Sequence, residues 1–172
     1  MQILVAYASR MGSTEEIARV IATELKNSGH TVEVASCEVA PDAWKVDALI
    51  VGSAIYLGRW DKSALRYLKR QSQDLADRPV WLFQSGPVGD AAESEQVQTP
   101  HAVREIATHL NIAPPITFGG RLDPTKATGP LSHWVATGRY EGDFRDWSRI
   151  RQWTASINTV LADVADNNAP AS

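Results

Sequence analysis

The stretch VAYASRMGSTEEIARVIA, residues 5–22, decides the fold of this chain. It opens with an apolar run typical of a buried strand, and small hydroxylated residues then surround Gly12. A helical pattern begins at once, with Glu15 and Glu16 in a first turn where acidic side chains are favourable. A buried strand that leads directly into a helix is typical of α/β proteins.

Composition predicts one compact domain without structural metal or disulfides. The chain has 172 residues, of which 44% are apolar, and its 17 Lys and Arg nearly balance 20 Asp and Glu to give a net charge of -3. This charge does not favour nucleic acid or a polybasic membrane anchor. The single Cys37 cannot form an internal disulfide, and no Cys/His spacing indicates zinc, so we expect a cytoplasmic protein. No apolar run approaches the ~18 residues of a membrane span, which leaves only peripheral membrane contact open.

Short apolar runs alternate with helical patterns along the chain. They predict an open five-stranded parallel sheet with helices on both faces. In such sheets ligands bind beyond the carboxyl ends of the strands, which points to the loops 8–14, 53–61 and 85–99. The segment CEVAPDAWK is expected to form a turn or a single helical turn. The predicted strands are 2–8, 31–36, 46–54, 78–85 and 116–122; the predicted helices are 14–28, 61–75, 101–110 and a last one from about Trp147 to Val164, with Asp143 as N-cap and Asp146 three residues on.

The first of these loops predicts an anion site. Ser9, Ser13 and Thr14 offer hydroxyl groups beside the free N–H groups of a helix start, an arrangement suited to a phosphate. The loop lacks the glycine–lysine spacing of a Walker motif, and Gly12 alone is not the dinucleotide fingerprint. Neutral donors suit a phosphate monoester such as that of a mononucleotide. The alternative is a capped strand-to-helix turn without a ligand.

These residues resemble the flavodoxin-like FMN proteins. An aromatic residue at the end of the first strand, a hydroxyl, a small residue and a threonine at the family's spacing are matched by Tyr7, Ser9, Gly12 and Thr14, while Met11 departs from the usual pattern. The chain is also similar to the subgroup that contains the menaquinone-dependent protoporphyrinogen dehydrogenases. That similarity depends on YASRMGST, VGSAIYLGRWD, FGGRLD and GDFRDWSRIRQW.

The resemblance implies a flavodoxin-like domain over residues 1–165 that binds FMN. Tyr56 or Trp60 would stack on the flavin ring, unless Trp60 simply packs under its helix. The third loop would read the pyrimidine edge of the flavin, although its glycines also suit ordinary turns. No residue is assigned a catalytic role. The implied FMN contacts are Ser9, Arg10, Met11, Gly12, Ser13, Thr14, Ala54, Ile55, Tyr56, Gly58, Trp60, Ser85, Gly86, Pro87 and Gly89.

Two further regions carry expectations. If Arg10 or Arg59 lies near the flavin, the reduced anion is stabilised and the potential is less negative than that of a carrier flavodoxin; the alternative is two solvated arginines. The insert at about 123–142 is long for a compact sheet protein, and its Lys126, His133, Trp134, Arg139 and Tyr140 could contact a quinone, a porphyrin or a membrane surface. The tail 166–172 is expected to be disordered.

Two functional classes follow from the resemblance. The first is an FMN-dependent oxidoreductase of heme biosynthesis that takes electrons from a porphyrinogen and passes them to a quinone. The second is a flavodoxin-type electron-transfer protein without a small-molecule substrate of its own. A binding protein that has lost FMN is a third alternative, suggested only by Met11. The expected partner is a small molecule or quinone, and the sequence leaves the oligomeric state open.

Overall fold

The computed structural model describes residues 1–75, 78–86, 97–122 and 142–167. Their elements alternate as the sequence predicts. The strands are β1 (Gln2–Ala8), β2 (Thr31–Ser36), β3 (Ala48–Tyr56), β4 (Arg59–Trp60), β5 (Val80–Ser85), β6 (Ile116–Phe118), β7 (Arg121–Leu122) and β8 (Gly142–Asp143); the helices are α1 (Ser13–Asn27), α2 (Lys62–Arg70), α3 (His101–His109) and α4 (Trp147–Asn167), with a 3-10 turn at Ala43–Lys45.

The predicted five-stranded parallel sheet is confirmed. Its strands lie in the order β2-β1-β3-β5-β6, and the short β4 pairs antiparallel with the end of β3. The chain runs from β1 to β2 on one side and then returns to place β3 on the other. The strand order therefore reverses between β1 and β3, which is the point where ligands bind in open α/β sheets.

Two apolar layers cover the sheet because strand residues alternate between its faces. Leu4 and Leu49 face the layer formed with α2 and α3, whereas Ile3 and Ile50 face the layer formed with α1 and α4. The helix predicted over 14–28 is confirmed within one residue, and Gly29 follows it with a positive φ of 91°. That conformation suits glycine and ends the helix where the sequence predicts.

The strand predicted over 116–122 is wrong in its extent, because Gly119 and Gly120 interrupt it. A Cβ atom built on Gly119 would overlap the carbonyl oxygen of Phe144, so the chain can pass this point only as glycine. Beyond the break, β7 leaves the sheet and pairs antiparallel with β8. The described residues on either side of the insert are therefore held together as a two-stranded hairpin.

Other expectations differ in smaller ways. Helix α2 ends at Arg70 rather than near residue 75. Asp143 is not the N-cap of α4, because Asp146 immediately precedes the helix and accepts the backbone N–H of Arg149 at 3.0 Å. Helix α4 continues to Asn167, so the first two residues of the predicted disordered tail are helical. The rest of that tail and residues 123–141 of the insert, with Lys126, His133, Trp134, Arg139 and Tyr140, lie outside the described residues.

Candidate functional site

The first loop turns tightly from β1 into α1. Gly12 adopts a positive φ of 85° at the start of the helix, and its N–H donates to the hydroxyl of Ser9 at 3.0 Å. The first helical hydrogen bond runs from the N–H of Glu16 to the carbonyl of Gly12 at 2.9 Å. The N–H groups of Ser13, Thr14 and Glu15 consequently have no acceptor within the helix. They form the kind of donor cluster that binds anions at helix N-termini.

Hydrogen bonds join this loop to two distant segments. The hydroxyls of Thr14 and Ser85 lie 2.8 Å apart, which ties the first loop to the end of β5. The hydroxyl of Ser13 accepts the backbone N–H of Arg121 at 3.0 Å, which ties it to β7. Because Ser9 and Ser13 accept hydrogen bonds here, each hydroxyl still has its own hydrogen to donate to a ligand.

A cleft opens at this junction and contains nine of the residues predicted from the sequence. The three loops predicted to meet beyond the strands all contribute to it. Its predicted lining residues are Ser9, Met11, Ser13, Thr14, Ala54, Ile55, Tyr56, Ser85 and Gly86.

Two lining residues, Gly120 and Arg121, are missing from the predicted set. They belong to the motif FGGRLD, and the two adjacent glycines inside the last predicted strand are the signal that could have indicated a break there. Because the strand breaks at the glycines, Arg121 turns toward the first loop instead of continuing along the sheet.

The acidic side chains of the first helical turn are each held by arginine. Glu15 pairs with Arg19 at 2.7 Å, while Glu16 contacts Arg145 at 2.7 Å and Arg121 at 3.4 Å. Unpaired carboxylates next to the loop would repel a phosphate. Their pairing, with Arg121 among the residues that line the cleft, makes this helix start compatible with an anion.

The remaining predicted residues lie elsewhere. A second cavity of about 810 Å³ lies beside the cleft, and Tyr56 lines both. Gly12 forms the helix start, and Pro87 and Gly89 lie outside the described residues. Arg10, Gly58 and Trp60 of the predicted set line this second cavity. Its full lining is Arg10, Tyr56, Leu57, Gly58, Arg59, Trp60, Asp61, Lys62, Leu65, Pro100, His101, Ala102 and Val103.

The two candidate stacking aromatics occupy different environments. Trp60 is only 3% exposed, and its indole N–H donates to the side chain of Gln84 at 3.0 Å. Tyr56 is half-buried at the boundary of the two cavities, with the guanidinium of Arg10 5.1 Å from its ring centroid. Burial raises the pKa of Tyr56, and Arg10 opposes that shift. The geometry favours Tyr56 over Trp60 for contact with a ligand, because the indole is already packed and hydrogen-bonded.

Arg10 is held by an acidic partner. Its Nε lies 3.0 Å from a carboxylate oxygen of Asp61, and the other oxygen of Asp61 accepts both the N–H and the hydroxyl of Ser63 at 2.9 Å. Burial alone would raise the pKa of Asp61, but the hydrogen bonds from Ser63 and Arg10 lower it below its usual range. Asp61 thus caps α2 and orients Arg10 at the same time.

The flavodoxin domain model matches residues 4–126. This range includes the cleft, the second cavity and all five parallel strands apart from the first two residues of β1. The chain belongs to the flavodoxin domain family. The resemblance inferred from the sequence is therefore confirmed at the level of the family.

Curated relatives and solved structures agree with this assignment. The chain is 26% identical over 107 residues to the protoporphyrinogen IX dehydrogenase [quinone] of Escherichia coli K12, an alignment that covers 61% of this chain and 59% of that protein. It thus spans less than two thirds of the relative's length. A flavodoxin from the domain Archaea superposes with a TM-score of 0.65 at 14% identity, covering 94% of this chain and 99% of that one. Flavodoxin 2 from Bacillus cereus gives 0.58 at 21% identity, covering 91% and 99%. None of the described helices is long and apolar enough to cross a bilayer.

Proposed function

We propose that this protein binds FMN noncovalently and acts as an oxidoreductase of the quinone-dependent protoporphyrinogen dehydrogenase type. The observation that carries the proposal is the cleft at the switch point of the sheet, where hydroxyls of Ser9, Ser13 and Thr14 meet the free N–H groups of α1. Bound FMN would supply one- or two-electron transfer, and the chain would supply binding and orientation.

The residues present fit such a group. Around the cleft, backbone segments approach so closely that a Cβ atom on Gly86 would lie 2.9 Å from the carbonyl oxygen of Ile55. Glycine therefore keeps backbone donors and acceptors accessible where the flavin would lie. The phosphate would be held by the first loop, and Arg121 would contribute a positive charge beside it.

The surroundings of the second loop support an enzyme rather than a carrier. A carrier flavodoxin would be expected to surround its flavin with acids, whereas the described lining of the second cavity includes Arg10, Arg59 and Lys62 with Asp61 as its one acid. The similarity to the E. coli dehydrogenase also supports this type. The flavodoxin-type electron-transfer protein remains the second candidate, and the overall fold suits it equally well.

Cofactor binding is tested by the visible spectrum of the purified protein before and after addition of FMN and desalting. Thr14→Ala should then raise the Kd for FMN about 10- to 100-fold, the range for one lost hydrogen bond to a charged group. Thr23→Ala is the matched control, because Thr23 lies on the same helix and its hydroxyl donates to the carbonyl of Arg19. Equal FMN affinity in both variants would show that the first loop is not the phosphate site.

The type of reaction is tested on the FMN-loaded protein. Anaerobic protoporphyrinogen IX and the soluble quinone menadione are mixed with it, and porphyrin formation is followed by fluorescence. Turnover that depends on the quinone supports the dehydrogenase. FMN binding without turnover would favour the electron-transfer protein.

A further inference from the structure

Arg145 is a buried cation that lies outside the cleft and contacts the first turn of α1. Its side chain is 2% exposed and does not line the cleft. Nε and Nη2 of Arg145 donate to the two carboxylate oxygens of Asp143 at 2.7 and 2.6 Å, and Nη1 donates to Oε2 of Glu16 at 2.7 Å. Short contacts between charged groups of this kind fix the carboxylates in place. Arg145 therefore holds Glu16 at the start of α1.

Glu16 is shared between Arg145 and a residue of the cleft. Nη1 of Arg121 lies 3.4 Å from both carboxylate oxygens of Glu16. The backbone N–H of Arg121 also donates to the hydroxyl of Ser13 at 3.0 Å. Because Arg121 lines the cleft, a change at Arg145 can affect the cleft through Glu16.

The β7–β8 hairpin, which begins at Arg121 and ends two residues before Arg145, fits closely against the loops of the cleft. The N–H of Phe144 donates to the carbonyl of Gly120 at 3.0 Å. A Cβ atom built on Gly120 would lie 3.1 Å from Cα of Gly86 in the third loop, so glycine allows this close approach. The backbone that carries the two arginines is therefore packed against the cleft on two sides.

The charges of these contacting side chains cancel beside the helix start. Arg121 and Arg145 contribute two positive charges. Glu16 and Asp143 contribute two negative charges. An acidic side chain in the first turn of a helix is favourable by itself, but its charge opposes the binding of a second anion at the same N–H groups. Without Arg145, one positive and two negative charges would remain among these groups, a net charge of −1 next to the anion site.

We propose that Arg145 is a positioning residue that makes the cleft selective for a ligand with a phosphate group, because it holds Glu16 in an ion pair and cancels its charge. This inference rests on the proposed function, since FMN is the phosphate-bearing ligand proposed for the cleft. Arg145 acts through Glu16 and Arg121 rather than by contact with the ligand.

The test compares FMN with riboflavin, which has the same ring system and lacks the phosphate. The Kd of each flavin is measured by flavin fluorescence at neutral pH for wild type, Arg145→Met, Glu16→Gln and the double variant. Arg145→Met should raise the Kd for FMN about 3- to 10-fold, the range for one partly exposed charge acting on a doubly charged phosphate, and leave the Kd for riboflavin unchanged. Adding Glu16→Gln to Arg145→Met should restore most of the affinity for FMN, because the uncompensated carboxylate is then removed.

Arg151→Met is the matched control, because Arg151 is exposed on α4 and does not line the cleft, so neither Kd should change. An equal loss of affinity for both flavins in Arg145→Met, or no recovery in the double variant, would show a merely structural role and overturn the inference. If Arg145→Met does not fold, Glu16→Gln alone decides. It should bind FMN about 2- to 5-fold more tightly than wild type, since Arg145 then adds an unbalanced positive charge, and equal or weaker binding would overturn the inference.

Failure of this inference can be distinguished from failure of the proposed function. Equal affinity of wild type for FMN and riboflavin would overturn the inference while flavin binding stands. If wild type binds neither flavin, the proposed function fails, and inorganic phosphate becomes the probe, with chloride at equal ionic strength as the reference. Phosphate should then raise the melting temperature of Glu16→Gln more than that of wild type, and that of Arg145→Met less. An equal rise in all three would overturn the inference.

Discussion

Replacing Arg145 by methionine should lower the free energy of unfolding by about 3 kcal/mol. The Arg145 side chain is 2% exposed, and it forms a two-point contact with Asp143, with Nε–Oδ1 and Nη2–Oδ2 distances of 2.7 and 2.6 Å. Its Nη1 lies 2.7 Å from Glu16, and its guanidinium lies 4.4 Å from the ring centroid of Trp147. One buried side chain therefore joins the first turn of α1, the end of the β7–β8 hairpin and the start of α4.

The magnitude follows from what the substitution leaves behind. Removing one partner of a buried ion pair costs about 3–5 kcal/mol, because the remaining charge is uncompensated. Here Glu16 and Asp143 are 37% and 42% exposed, so water can partly replace the arginine and the lower end applies. The contact with Trp147, worth about 0.5–1 kcal/mol, is largely kept because methionine also packs favourably against an aromatic ring, so the total loss stays near about 3 kcal/mol.

Urea unfolding followed by circular dichroism measures the effect, with the exposed Arg151→Met as the control on the same helix. At about 2–4 °C per kcal/mol for a chain of this size, the melting temperature should fall by about 6–12 °C. Hydrogen bonds from Arg145 lower the pKa of Asp143, so this contribution is present above about pH 4 and is lost as the pH falls through the lowered pKa. The difference between wild type and variant should thus shrink in acid. Equal stability of Arg145→Met and wild type at pH 7 would refute the reasoning.

Three further predictions concern the core, the thiol and the hairpin. Gly52→Ala should destabilise the protein by about 3 kcal/mol, because the added Cβ would overlap the buried ring of Phe83. In urea unfolding, a Phe83→Leu change in the same chain should recover part of the lost free energy. No recovery would exclude this contact as the cause. Burial raises the pKa of Cys37 to about 12, so Ellman's reagent should react with the thiol at pH 8 only after unfolding. The free energy of unfolding should also decline as the pH rises above about 8.5, because the thiol then ionises in the unfolded chain but not in the folded one. Cys37→Ala should reduce this decline. Leu57→Asn should stabilise the turn of the β3–β4 hairpin by about 1 kcal/mol and raise the melting temperature, because asparagine tolerates the positive φ of 48° better than leucine does. An unchanged or lower melting temperature would contradict this account of the turn.

Much of the fold could be predicted because its signals are local. The apolar strands, the helical face of Ile17, Ile21 and Leu25, and Gly29 as a helix end each depend on a few neighbouring residues. The right-handed connection between parallel strands then limits the topology. The first loop could be placed for the same reason, since a strand, Gly12 and a helix start follow one another directly in the chain.

The tertiary structure alone decided which distant groups complete the site. Arg121 reaches Ser13 across 108 positions, and it does so because Gly119 and Gly120 break a strand that the apolar pattern predicts to continue. Asp146 rather than Asp143 caps α4, because Asp143 is held by Arg145.

The same limit applies around the second loop. Trp60 and Tyr56 are both aromatic residues of one short segment. Trp60 is buried and donates a hydrogen bond to Gln84, whereas Tyr56 lies at the boundary of the two cavities. The chain by itself therefore determined the sheet, its switch point and the strand-to-helix loop at Gly12, because these follow from local patterns and strand handedness. The partners of each charged side chain and the second cavity were decided only by packing, because contacts between distant segments leave no periodic signal in the sequence.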